Sequence, residues 1–303
     1  MMNDVKGWVE RWLRDLINDE NMSESVNLAY ELLSVCNHSR RAYANIISEM
    51  LTPKGYRDIW MEASAYVLYN WEASVIHLRL SLILALSALY NSAFTLLRNA
   101  LELTVKGALY EGLAHKEFRE KWILPPDDSV SQLRREVLDM LKANPEEADE
   151  LEEGSAHIFD LVRGPLYELH LQFRSIATQV IHWNLLYPLN PAEAFDVISK
   201  LYDELCSNVH EHPDRTDMGR IIMERGELFE QKPLKKSLEE FLNAWLQVLD
   251  VIALISINVL KSRREIGEVK AILSRLVETE DFKCARMPLT KRLFENLGIG
   301  SIV

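Results

Sequence analysis

The sequence predicts an all-α, multi-helix bundle. Three observations lead there. Apolar residues return every three or four positions along almost the whole chain. Between Tyr56 and Leu113 there is no Pro, and no Gly before Gly107. Hydrophobic residues at 48% and charged residues at 26% supply helices with both an inner and an outer face. Strand-like alternation is confined to residues 219–231, where two short apolar runs flank Gly226 and predict one small β-hairpin.

Taken in order, Trp8, Val9, Trp12, Leu13 and Leu16 form a first amphipathic stripe. Ser23 or Ser25 is placed to cap a second helix, with Leu28, Leu32, Val35, Tyr43, Ile46, Ile47 and Met50 as its inner positions and Pro53 and Gly55 as its end. The stretch from Tyr56 to Leu113 is too long for one ordinary helix. A turn is expected near Tyr69-Asn70 or, alternatively, near Tyr90-Asn91-Ser92, and Pro125-Pro126 stops the run. Residues 127–153 carry ten Asp or Glu against three Arg or Lys and are read as a solvent-facing helical insertion. It holds one helix from Val130 to Ala143 and a second capped at Asn144-Pro145. A helix from about Pro165 to Tyr187 follows, ended by Pro188 and Pro191. Asn190 caps the next, Ala192 to about His210, and His212 before Pro213 is biased out of the helix. A long helix from Leu234 to Lys261 leads to basic C-terminal helices at 261–297. The 303 residues read as a single helical domain.

A net charge of −12 argues against sequence-independent nucleic-acid binding, which needs an excess of Lys and Arg along one face. Residues 261–303 alone are basic, with nine Lys or Arg against six acids. Cys36, Cys206 and Cys284 are far apart and odd in number, so a disulfide framework or zinc finger is not expected and a reducing, cytoplasmic compartment fits. The N-terminus lacks the apolar core of a secretory signal. The most apolar run, Val75 to Leu97, is interrupted by His77, Arg79, Ser81, Ser87, Asn91 and Ser92, so no membrane span is expected.

Two polar stripes stand out. Arg98, Glu102 and Lys106 are four residues apart on one face of an otherwise apolar helix, and Tyr202, Cys206 and His210 repeat that spacing on a later one. A guanidinium among Leu96, Leu97, Ala100 and Leu101 needs an acceptor, and Glu102 is one turn away. His210 carries a proton that can move near neutral pH, with Glu102 as an orienting partner and Tyr202 within reach of Arg98 if the helices are neighbours. Cys206 is a nucleophile only beside an electropositive group, and otherwise a small core residue. His210 and His212 cannot share a helical face and no His-Glu-x-x-His pattern occurs, so no metal or cofactor is expected. The Gly-rich phosphate loops and the Gly-x-Ser-x-Gly elbow are absent.

The pairing of Leu-Leu-Arg-Asn-Ala-Leu-Glu (96–102) with Tyr-x-x-Leu-x-x-x-Val-His (202–210) resembles a group of prokaryotic helical proteins that in turn resemble the HEPN superfamily. The resemblance covers about thirty residues. It implies a helical bundle, with Arg98 and Glu102 as the early-helix polar pair and Tyr202 and His210 as the late-helix motif. Many active members of that superfamily cleave RNA without a metal, using an Arg followed four to six residues later by His. Here no Arg precedes His210 at that spacing, and Cys206 stands where Ser is expected.

Two functions follow as expectations. One is a non-enzymatic helical protein acting through helix-mediated association, with a homo-oligomer as partner, or through a small-ligand pocket lined by Tyr202, Lys106 and Cys206. Exposed aromatics among Trp8, Trp12, Trp60 and Trp71 would favour association. The other acts on RNA or a nucleotide, with His210 as acid or base, Arg98 stabilising a phosphate and Glu102 orienting the imidazole.

Overall fold

The computed structural model describes residues 19–51, 65–144, 171–209, 232–262 and 265–299. Among these the regular structure is helical throughout. The expected hairpin at 219–231, the first amphipathic stripe, Trp60 and the second acidic helix lie outside the described residues.

Helices α1 (Asp19–Leu28) and α2 (Tyr30–Leu51) open the fold. Ser25 lies within α1 and does not cap it. Its hydroxyl is buried and donates to the Leu86 carbonyl at 2.8 Å, satisfying an end-of-helix acceptor elsewhere. Next comes one continuous rod: α3 (Ala65–Trp71), a π turn (Glu72–His77) and α4 (Leu78–Leu86). The expected break at Tyr69-Asn70 does not occur. The chain turns at Ser87–Leu89, immediately before the alternative site at Tyr90, and Ala88 takes φ 63° there. The amides of Ala88 and Leu89 return to the carbonyls of Ala85 and Leu84, at 3.0 and 2.8 Å, and close a Schellman cap.

Helix α5 (Tyr90–Ala114) is the hub, in contact with α3, the π turn, α4, α6 (Lys116–Glu120), α8 (Phe173–His182), α9 (Pro191–Val209) and α10 (Lys235–Lys261). Its inner positions Ala93, Leu97, Ala100, Leu101, Val105, Ala108 and Leu109 are fully buried. Helix α10 is the second axis, packed on α2, α4, α5 and α13 (Pro288–Asn296). It is apolar nearly all round, and Leu238, Phe241, Leu242, Leu249, Ile252 and Ile255 have no exposed surface. Each such side chain contributes roughly 1.5–3 kcal/mol by leaving water. By length and composition α10 could cross a membrane, but 89% of its most apolar window is buried inside the protein, as a core helix would be.

Helix α7 (Ser129–Ala143) begins at Asp128, whose carboxylate accepts from the Val130 amide at 2.8 Å. The expected solvent-facing excursion has an inner face, since Val130, Leu133 and Val137 are fully buried in the core. Asn190 does act as a cap, accepting from the Glu193 amide at 3.0 Å. After α10 come α11 (Ile266–Val277), α12 (Glu280–Cys284) and α13, with α11 and α12 packed on α2.

Two glycines permit close approach. A Cβ on Gly112 would lie 2.2 Å from Trp183, and one on Gly107 would lie 2.7 Å from the Tyr69 side chain. Trp183 cannot easily retreat, because its indole N–H donates to the carbonyls of Phe118 and Lys121 at 2.8 and 2.9 Å. This tryptophan fixes the start of the α8–α9 connection against the end of α5.

Candidate functional site

Along α5 the positions 98, 102 and 106 are all half-buried, whereas the inner face beside them is sealed. This stripe faces the hairpin made by α8 and α9. Phe173 stacks on Tyr202 with ring centroids 4.0 Å apart, and Arg174 pairs with Asp203 at 3.3 Å. The first turn of α8 therefore lies beside the middle of α9, so the two run antiparallel. With Trp183 against Gly112, α8 runs parallel to α5 and α9 antiparallel to it.

That arrangement brings the two stripes together. The Tyr202 hydroxyl donates to Glu102 Oε1 at 3.0 Å, and Arg98 Nε lies 3.4 Å from the same oxygen. The expected pairing of Tyr202 with Arg98 is replaced by a chain of three, in which Glu102 sits between guanidinium and phenol. Arg98 Nε is buried without a well-aligned hydrogen bond, so the ion pair with Glu102 is its compensation. Burial, the negative charge of Glu102 and the neighbouring Cys206 thiol push Tyr202 above the usual tyrosine range. At neutral pH Tyr202 is a neutral donor and Glu102 an acceptor. Cys206, half-buried, is one turn on from Tyr202 and interacts with its hydroxyl. Lys106 makes no hydrogen bond or ion pair with the described residues. His210 lies outside the described residues, one position past the end of α9.

Three buried polar features were not anticipated. The first joins α2, α3 and α10: Tyr43 donates to Asn70 Oδ1, Asn70 Nδ2 contacts the Tyr66 hydroxyl at 2.9 Å and Ser256 Oγ at 2.7 Å, and Tyr66 and Ser256 bond at 2.7 Å. Burial pushes both tyrosines far above their usual range. They serve as hydrogen-bonding groups, not as proton carriers. The second is Glu111, 2% exposed, which accepts from the Tyr66 amide at 3.3 Å and faces His115 Nε2 at 3.2 Å. The third is Asp250 in the middle of α10, whose carboxylate accepts from the Leu289 and Thr290 amides at the start of α13. An i, i+4 Glu-His pair and an acid inside an apolar run are visible signals for the last two. Nothing in the sequence signals the Tyr-Asn-Tyr-Ser cluster, because its bonded members Tyr66 and Ser256 are 190 residues apart. Among the described residues no group of three or more His, Cys, Asp or Glu converges as a metal site requires.

The fold and this site define an all-helical bundle whose half-buried charged and phenolic residues bond to one another across two antiparallel helices. No family model, curated protein or solved structure matches the chain.

Proposed function

We propose that the protein is a non-enzymatic helical scaffold that works through helix-mediated association with a second copy of itself. The observation that carries this reading is an apolar stripe on the outer face of the α3–π–α4 rod. Trp71 is 57% exposed, Val75 39%, Ile76 42% and Leu80 44%. Single exposed apolar residues are ordinary, but four on one face of one rod are the mark of a surface that meets a partner. The polar cluster, by contrast, is occupied with itself: Arg98 with Glu102, and Glu102 with Tyr202.

The alternative, action on RNA or a nucleotide through Arg98, Glu102 and His210, draws less support. Glu102, whose carboxylate lies 3.4 Å from Arg98 Nε, repels a phosphate brought to that guanidinium. The stripe reading is tested by light scattering on the purified full chain between about 5 and 200 μM, a range that captures micromolar self-association. The mass is expected to rise with concentration, and Leu80→Glu should hold it at the monomer value with unchanged helical circular dichroism. A wild-type mass fixed at 35.0 kDa throughout would overturn the reading.

A further inference from the structure

Residues spaced four apart drift by about 40° per turn around an α-helix, so a stripe of that spacing normally winds away from a straight partner. The outer face of the α3–π–α4 rod has that spacing: 71 and 72, 75 and 76, 79 and 80 are exposed. The π turn at Glu72–His77 lies in the middle of it. An i→i+5 turn takes up one extra residue and so cancels the accumulated drift. Trp71, Val75, Ile76 and Leu80 are thereby aligned along one side of the rod.

The stripe is also symmetric about the point between Val75 and Ile76. Trp71 and Leu80 are equidistant from that point, as are Glu72 and Arg79. The symmetry extends to burial: Asn70 and Ser81 are buried, as are Ala73 and Leu78, while Ser74 and His77 are half-buried. Glu72 is 57% exposed in its side chain, Arg79 is exposed, and His77 Nε2 lies 3.8 Å from Glu72 on the flank of the stripe.

From this geometry we infer that two copies pair through this rod as an antiparallel, two-fold helix pair centred between Val75 and Ile76, an inference that rests on the association proposed above. A two-fold contact must be self-complementary. In the antiparallel arrangement Trp71 meets the partner's Leu80, Val75 meets the partner's Ile76, and Glu72 meets the partner's Arg79, each pairing occurring twice. A parallel pair in register would set Glu72 against its own copy and Arg79 likewise, two like-charge contacts that favour neither partner. The charges therefore select both the occupant, a second copy of this chain, and its direction.

The test is a charge swap read as the dimer dissociation constant by sedimentation equilibrium. Glu72→Arg and Arg79→Glu alone each place like charges opposite one another at both ends of the contact, and each should weaken the dimer by about tenfold. The double variant Glu72→Arg/Arg79→Glu recreates both pairs and should return the constant to within about threefold of wild type. Both residues are exposed, so unchanged circular dichroism is expected throughout. If the wild type dimerises and Leu80→Glu abolishes the dimer, while the single swaps change nothing or the double variant is as weak as the singles, this register is overturned and the association reading survives. A wild type that stays monomeric defeats the association reading itself.

Discussion

Asp250 offers a pH-dependent stability that can be worked from the structure. It is 2% exposed in the middle of α10, the most buried helix, and accepts from the Leu289 amide at 2.7 Å, the Thr290 amide at 3.0 Å and the Thr290 hydroxyl at 2.7 Å. Met287, at the N-cap position of α13, offers no capping oxygen, so the carboxylate of a different helix does that work. Burial pushes Asp250 up to about 6, with the Thr290 and Leu289 donors and Lys291 opposing it. A carboxyl raised in the folded state binds its proton more tightly there than in the unfolded chain. Its stabilising contribution is therefore fully present below 3.8, the value of an unperturbed aspartate, and is lost as pH rises through about 6. The whole shift corresponds to about 3 kcal/mol, of which about 2 kcal/mol falls between pH 4.5 and pH 7.5. The assay is urea unfolding of wild type and Asp250→Asn across that range, taking the difference at each pH so that the other carboxylates cancel. The asparagine cannot titrate, and its amide N–H₂ opposes the Leu289 N–H, a fixed cost of about 1–2 kcal/mol. The wild-type advantage should grow by about 2 kcal/mol as pH falls from 7.5 to 4.5. Parallel curves for the two proteins would refute this reading of Asp250.

Gly112→Ala should destabilise the fold by about 3 kcal/mol, since the new methyl overlaps Trp183, which two hydrogen bonds hold in place; thermal unfolding reads this as a Tm lowered by several degrees. Tyr66→Phe removes a hydroxyl bonded to Asn70 and Ser256 and should cost about 1–2 kcal/mol in urea unfolding, with little change in the helical signal. For Glu102→Gln, ultraviolet titration should show the Tyr202 ionisation moving down toward the ordinary tyrosine range, because the carboxylate's charge is one of the causes of its elevation; an unmoved titration would remove Glu102 from that role. The mutation should cost about 1–3 kcal/mol, as buried Arg98 Nε loses its charged partner while the glutamine keeps an acceptor for Tyr202.

Much of the fold was legible because helices with buried faces write their period into the chain. Helix α10 was readable from its apolar composition alone, and its observed span, Lys235–Lys261, begins one residue after the expected one. Helix ends were legible where the capping residue was a usual one. Asn190 caps α9 as its residue type predicts, whereas the helix expected to run on to Tyr187 ends at His182, because Asn184 at φ 62° closes a Schellman cap before the prolines are reached. Ala88 closes the same motif at φ 63°, and alanine carries no such signal, so the break between α4 and α5 was displaced toward the polar Tyr69-Asn70 and Tyr90-Asn91-Ser92. The π turn was equally silent, for no residue type marks an i→i+5 bond. At the candidate site, the four-residue spacing marked out the two stripes, whose meeting depended on their helices being neighbours, and α5 and α9 are. The spacing did not foretell who would bond to whom, because rotation of α9 by part of a turn decides whether the phenol reaches residue 98 or 102. Asp250 was conspicuous as an acid in an apolar run, but its partners, 39 and 40 residues away, are the first-turn amides of α13, and the packing of that helix on α10 decides whether they reach it.

The most direct test of association through the outer face of the α3–π–α4 rod is hydroxyl-radical footprinting of the native chain at about 5 and 200 μM, concentrations on either side of micromolar self-association. Phe195, 44% exposed on α9, serves as an internal reference for Trp71, 57% exposed on the rod. Trp71 should become protected as concentration rises while Phe195 reacts unchanged. Equal reactivity of Trp71 at both concentrations would contradict the proposed association.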